Sequence, residues 1–125
     1  MKEKRDGLII NVSSWSGNHV SLLSGVSYTS SKHALNAMTE TINMKYCNLG
    51  IRATALCPGE VATAILDKRP KKLSKEQKNK MLQPDDLGQT IVFLCQMPKH
   101  VCINELTISP TWHRRYIADL GIEEL

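Results

Sequence analysis

Aromatic side chains are scarce in this chain: 5% of its 125 residues, with one Phe, three Tyr and two Trp. None is interleaved with the lysines between Lys68 and Lys80, which leaves no base-stacking platform for a nucleic acid. Asp67 and Glu76 temper that stretch, so a solvated face is expected and no nucleic-acid partner. No apolar run approaches the roughly 18–20 residues of a membrane-crossing helix. The charged start, Met1 to Gly7, has no signal-peptide stretch behind it. A cytoplasmic protein without membrane contact is expected. The four cysteines form no C-x-x-C pair, and His19, His33, His100 and His113 show no metal-ligand spacing, so no metal is expected. Cys47, Cys57, Cys95 and Cys102 each lie in or beside an apolar run and are expected as reduced, buried hydrophobes. Internal repeats and low-complexity segments are also lacking.

What is present is ordinary for a globular protein: 42% hydrophobic, 22% charged, net charge +4. The length suits one domain, residues 1–125, with one modest core. Leu8 to Val12 is a β-rich run behind Gly7, suited to a strand covered on both faces. Ser13 to Val26, rich in Ser and Gly, reads as loop. A helix is expected from Ser27, a plausible N-cap, to about Asn48, with Gly50 stopping it. Its packing face is read as Ala34, Ala37, Met38, Thr41, Ile42 and Leu49. Ile51 to Cys57 predicts a second strand ended by Pro58-Gly59, and Val61 to Met81 carries little core signal. Pro84, followed by Asp85 and Asp86, opens a second helix that packs Ile91, Val92, Leu94 and Cys95 and closes before Pro98. Cys102 to Ile108 predicts the last strand, limited by Pro110. Strands alternating with helices imply a parallel α/β sheet.

Tyr28 and Lys32 stand four apart at the start of a helix and share a face. An ammonium one turn away favours the phenolate, which eases proton exchange with an alcohol or carbonyl oxygen. Ser13 and Ser14 lie beyond the carboxyl end of the first strand, the edge where open α/β sheets bind ligands. A hydroxyl there can hold the same oxygen for Tyr28.

The surroundings of these residues carry a resemblance. Gly7-Leu8-Ile9-Ile10-Asn11-Val12-Ser13-Ser14, with Gly17 behind it, is similar to the serine-strand motif of short-chain dehydrogenases/reductases. Tyr28-Thr29-Ser30-Ser31-Lys32 resembles their Tyr-x-[Ala/Ser]-[Ser/Thr]-Lys motif, and Pro58-Gly59-Glu60-Val61-Ala62-Thr63 their Pro-Gly-x-Val-x-Thr segment. The resemblance runs from about Gly7 to Pro110. It implies a partial Rossmann-like, doubly wound parallel sheet of about three strands and two main helices. It implies NAD(P)-dependent hydride transfer between an alcohol and a ketone or aldehyde, with Tyr28 as general acid/base. Lys32 would assist Tyr28 and bind the nicotinamide ribose, and Ser14 would position the substrate oxygen. Pro58, Gly59 and Val61 would face the nicotinamide, with Thr63 reaching its carboxamide or phosphate.

The same resemblance makes 64–82 a substrate lid and the helix from 27 to 49 a homo-oligomer contact. Trp15 either lines the substrate pocket or fills space under its loop. Asn104 to Thr111 is similar to the ending of farnesol dehydrogenase-like members, which makes NADP the expected cofactor over NAD. The family's amino-terminal half, with its glycine-rich pyrophosphate loop, finds no counterpart in these residues. A carboxy-terminal, catalytic half is therefore expected, inactive alone and binding dinucleotide poorly. The alternative is a non-catalytic module that pairs with a full-length relative.

Overall fold

The computed structural model describes residues 1–69 and 71–122. Its sheet is built as the apolar runs dictate, from β1 (Gly7–Val12), β2 (Ile51–Pro58) and β3 (Glu105–Ile108). All three are parallel in the order β1-β2-β3. Gly7 faces Ile51 and Val12 faces Leu56 in one pairing, and Ala55 faces Glu105 in the other. The central strand holds most of the core: Ile51, Ala53, Ala55, Leu56 and Cys57 are all buried. With the helices between them, the strands form a partial Rossmann-like α/β fold.

Between β1 and β2 runs α1 (Val26–Tyr46), continued by one 3-10 turn, Cys47–Leu49, before Gly50 at φ 67 ends it. Ser27 is not its cap. The chain enters from Gly25 with no side-chain cap, and Ser27 already lies inside the helix. Nor is its packing face the expected one, since Ala34, Ala37, Met38 and Thr41 are exposed. The face turned to the sheet carries Leu35, Asn36, Thr39, Ile42 and Asn43, a largely polar set that hydrophobic periodicity passes over.

Segment 61–81 has more core than its charge suggests. Leu66, in the 3-10 turn Ala64–Lys68, and Met81 are both buried. A short α2 (Lys75–Asn79) follows, with a capping box between Ser74 and Gln77. The ends of the segment meet where Val61 bridges Leu82. The second main helix, α3 (Pro84–Gln96), begins at Pro84 as read, with Gln83 and Asp86 forming its capping box. It buries Leu94, while Val92 and Cys95 face outward.

Cys102 to Asn104 do not join β3, for a reason set by α1. Asn43 already occupies the Ala53 backbone on that side, accepting from its N–H at 2.6 Å and donating to its carbonyl at 2.8 Å. The first ladder bond is therefore Ala55 N–H to Asn104 O. Cys57 alone of the cysteines is buried; Cys47, Cys95 and Cys102 are exposed, and all four are free. An unforeseen α4 (Arg114–Asp119) closes the described chain and buries Ile117. Among the described residues no helix is long and apolar enough to cross a membrane.

Candidate active site

Parallel strands place their carboxyl ends on one edge, and here that edge gathers the serine turn and the Pro58-Gly59 turn. The two are stitched where Ser13 N–H donates to Leu56 O at 2.7 Å. The serines then divide. Ser13 is buried and its hydroxyl bonds the Lys32 carbonyl at 3.3 Å, tying the turn to α1. Ser14 is only half-buried and N-caps the 3-10 turn Trp15–Gly17, accepting from Ser16 N–H at 3.1 Å. An accepting hydroxyl keeps its own proton to donate. A Cβ at Gly17 would lie 2.6 Å from Asn36 Nδ2 and 2.7 Å from Ser13 Oγ, so any larger residue there would displace both side chains.

Tyr28 and Lys32 sit in the first two turns of α1. The ammonium donates to Val12 O, the last carbonyl of β1, at 3.1 Å and lies 5.7 Å from the Tyr28 ring centroid. Tyr28 itself is about half exposed. Beside it the hydroxyl of buried Thr29 has no hydrogen-bond partner among the described residues. Gly59 N–H donates to Ile108 O at 2.7 Å, which fixes the Pro58-Gly59 turn against the end of β3. Thr63 is exposed and begins the next 3-10 turn without using its side chain as a cap.

Two features escaped sequence reading. Trp15 stacks on His19 (ring centroids 4.1 Å apart) and meets His113 at 4.6 Å, with Tyr116 stacked on His113 at 4.2 Å. Burial holds the His113 imidazolium below its ordinary titration range, opposed by the nearby Glu60 carboxylate. Glu60 in turn receives Arg69 and Arg114 on one oxygen. These contacts join residues up to 98 positions apart (Trp15 to His113), so no local pattern announces them. Cys57, behind the serine turn, is inert by the same physics: burial pushes its thiol up, against a smaller opposing effect of the Asn36 amide.

Comparison with known proteins bears on the family and the fold. Residues 1–74 match the family model described as short chain dehydrogenase. Dehydrogenase/reductase SDR family member 11 of Homo sapiens is 34% identical over 121 residues, covering 89% of this chain and 46% of the human protein. An oxidoreductase of Staphylococcus aureus (strain USA300) is 31% identical over 110 residues, covering 88% of this chain and 45% of that one. Among solved structures, the betaketoacyl-[ACP] reductase of Bacteroides thetaiotaomicron superposes with TM-score 0.72 at 32% identity, over 94% of this chain and 46% of that one. An alcohol dehydrogenase of the archaeon Thermococcus sibiricus, complexed with 5-hydroxy-NADP, gives 0.71 at 26% identity, over 89% and 44%. The chain spans about half the length of the curated relatives it matches. With sequence motifs, sheet order and relatives in agreement, this chain belongs to the short chain dehydrogenase family.

Proposed function

We propose that the chain is the carboxy-terminal, catalytic half of an oxidoreductase that interconverts an alcohol and a ketone or aldehyde with NAD(P). The observation that carries this reading is the Lys32 ammonium, fixed on the β1 carboxyl end within 5.7 Å of the Tyr28 ring and beside the Ser14 turn. In this reading Tyr28 exchanges a proton with the substrate oxygen and Ser14 donates a hydrogen bond to it. Lys32 stands with its side-chain nitrogen 5.7 Å from the Tyr28 ring centroid, and its further N–H donors suit ribose hydroxyls. Pro58, Gly59 and Val61 line the nicotinamide side, and Thr63 offers an uncommitted hydroxyl to the carboxamide or phosphate. A bound nicotinamide dinucleotide supplies or takes up the hydride. NADP is the proposed form, supported by the similarity of Asn104 to Thr111 to farnesol dehydrogenase-like members. The pyrophosphate is left without a glycine-rich loop from these residues, so dinucleotide binding by the chain alone is proposed to be poor.

Segment 64–82, anchored at its base and by Leu66, is proposed as the substrate lid. The outward side of α1, with Val26, Met38 and Met44 exposed, suits a second copy of the protein, and a cytoplasmic site of action is proposed. A second reading, a non-catalytic partner of a full-length relative, is favoured by the half-length coverage.

The test begins with NADPH titration of the purified chain, followed by dinucleotide fluorescence, where no saturation is expected. The same chain preceded by any in-frame sequence upstream of Met1 is then assayed for NADPH oxidation with a panel of ketones and aldehydes. Turnover is expected, with Tyr28→Phe lowering kcat/KM by about 10²–10⁴-fold. Turnover that survives Tyr28→Phe refutes the assignment, and an extended protein that binds NADPH without turnover favours the second reading.

A further inference from the structure

Glu60 lies between Gly59 and Val61, two of the three residues proposed to face the nicotinamide, yet its side chain turns to other segments. Its Oε1 accepts from Arg69 Nη1, just after the 3-10 turn of segment 64–82, at 3.2 Å. The same oxygen accepts from Arg114 Nη1, the first residue of α4, at 3.3 Å. Glu60 and Arg114 are both about a quarter exposed, so this is no fully solvated pair. The Glu60 backbone is itself fixed, since its carbonyl accepts from Leu82 N–H at 3.1 Å at the base of segment 64–82.

We infer that Glu60 is a positioning residue that holds the lid down through Arg69 in competition with Arg114 of the C-terminal helix, so that the tail tunes lid opening. The inference rests on the proposed role of 64–82 as a lid. Both bonds are longer than the about 2.8 Å of an unshared charge-assisted bond, as expected when two guanidiniums divide one oxygen and repel each other. Removing one lets the other close in. The lid therefore tightens when the tail cation leaves Glu60 and loosens when the Glu60 charge is lost. Stacking of His113 on Tyr116 against Trp15 holds Arg114 in place, and Lys80 lies 4.5 Å over the Trp112 ring as a separate lid–tail contact. Charged and titratable groups that bear on this point are thus Arg69, Arg114, Arg115, His113 and His19.

Limited digestion of the full chain with a lysine-specific endoproteinase reads the lid directly, because Lys68, Lys71, Lys72, Lys75, Lys78 and Lys80 all lie in it. Arginine substitutions leave those cleavage sites intact, and cleavage after exposed Lys99 is the internal reference. E60Q and R69Q are expected to speed lid cleavage about two- to fivefold, the range of a partly exposed ion pair. R114Q is expected to slow it by a similar factor, and to have no effect in the R69Q background. A purely structural role for Arg114 predicts the opposite sign, because a loosened tail would speed cleavage everywhere. R114Q that speeds lid cleavage, or that slows it equally without Arg69, overturns the inference. If E60Q does not fold, R69Q, R114Q and their double variant carry the same comparison. The digestion pattern does not depend on hydride transfer, so its failure leaves the oxidoreductase reading untouched, and loss of that reading leaves the clamp measurable.

Discussion

Substituting Asn43 by Ala probes the contact that locks α1 to the sheet. Asn43 accepts from Ala53 N–H at 2.6 Å and donates to Ala53 O at 2.8 Å, and Ala53 is fully buried. The carbonyl keeps one other donor, the Cys102 thiol at 3.6 Å, so its loss is partly cushioned. The N–H loses its acceptor, Asn43 Oδ1, and a buried donor left unmade costs about 1–3 kcal/mol. Adding the weakened carbonyl, Asn43→Ala is expected to cost about 2–3 kcal/mol. Native-state hydrogen exchange followed by NMR reads this at the affected atom. At roughly 1.4 kcal/mol per tenfold, the Ala53 amide should exchange about 30- to 150-fold faster. Thr41→Ala, on the exposed side of α1, is the control and should change stability by under about 0.5 kcal/mol. An Ala53 amide that exchanges within about threefold of the parent's would refute the argument that Asn43 completes this strand edge.

Three further outcomes follow from the same structure. Under native conditions iodoacetamide should label Cys47, Cys95 and Cys102, leaving Cys57 unmodified until denaturant is added, as mass spectrometry of the peptides would show. Leu94→Ala should cost about 2–5 kcal/mol in urea unfolding, since this side chain is the buried contact of α3. His113 sets a pH effect: folded, it resists protonation, so the unfolded chain takes up a proton near pH 6.5 that the native one refuses. Its contribution is thus complete above about pH 6.5 and is lost as pH falls below it; His113→Gln should flatten the fall in melting temperature between pH 7 and 5, and an unchanged slope would count against it.

Where the sequence was legible, its signals were local. The β-rich runs, Gly50 and Pro84 each determine their own neighbourhood, and the strands they delimit pair in chain order, β1-β2-β3. What stayed hidden was non-local or polar. β3 is short because Asn43, 10 residues before Ala53 in the chain, takes the backbone groups that a longer strand would need. Leu66, at the end of Ala64-Ile65-Leu66, and Met81, before Leu82, sit in apolar runs too short to mark a periodic face, and α4 offers Ile117 as its buried residue. The cysteines mislead for a related reason: proximity to an apolar run says nothing about which side of α3 Cys95 occupies. The motif of Tyr28, Lys32 and Ser14 marks the proposed site in the sequence, whereas the Glu60 cluster needed residues 69 and 114 brought together in space.

The misread face of α1 explains how the candidate site is set. Tyr28, Lys32, Asn36, Thr39 and Asn43 fall at three- or four-residue steps and form one stripe along the helix. From Lys32 onward each makes a directed bond: Lys32 to Val12 O, Asn36 to Asn18, Thr39 with Asn11, and Asn43 with Ala53. An apolar face tolerates sliding and rotation at modest cost, while a row of hydrogen bonds to two strands and a turn is satisfied in one registration. Rotating α1 by one residue would break all four bonds and carry Lys32 off the β1 carboxyl end. The polar stripe thus does for the helix what a large apolar core would do elsewhere, and it does so with angular precision. That is why a helix whose apolar spacing points to another face still delivers the Lys32 ammonium to the edge where Ser14 turns, with Tyr28 one helical turn ahead of it.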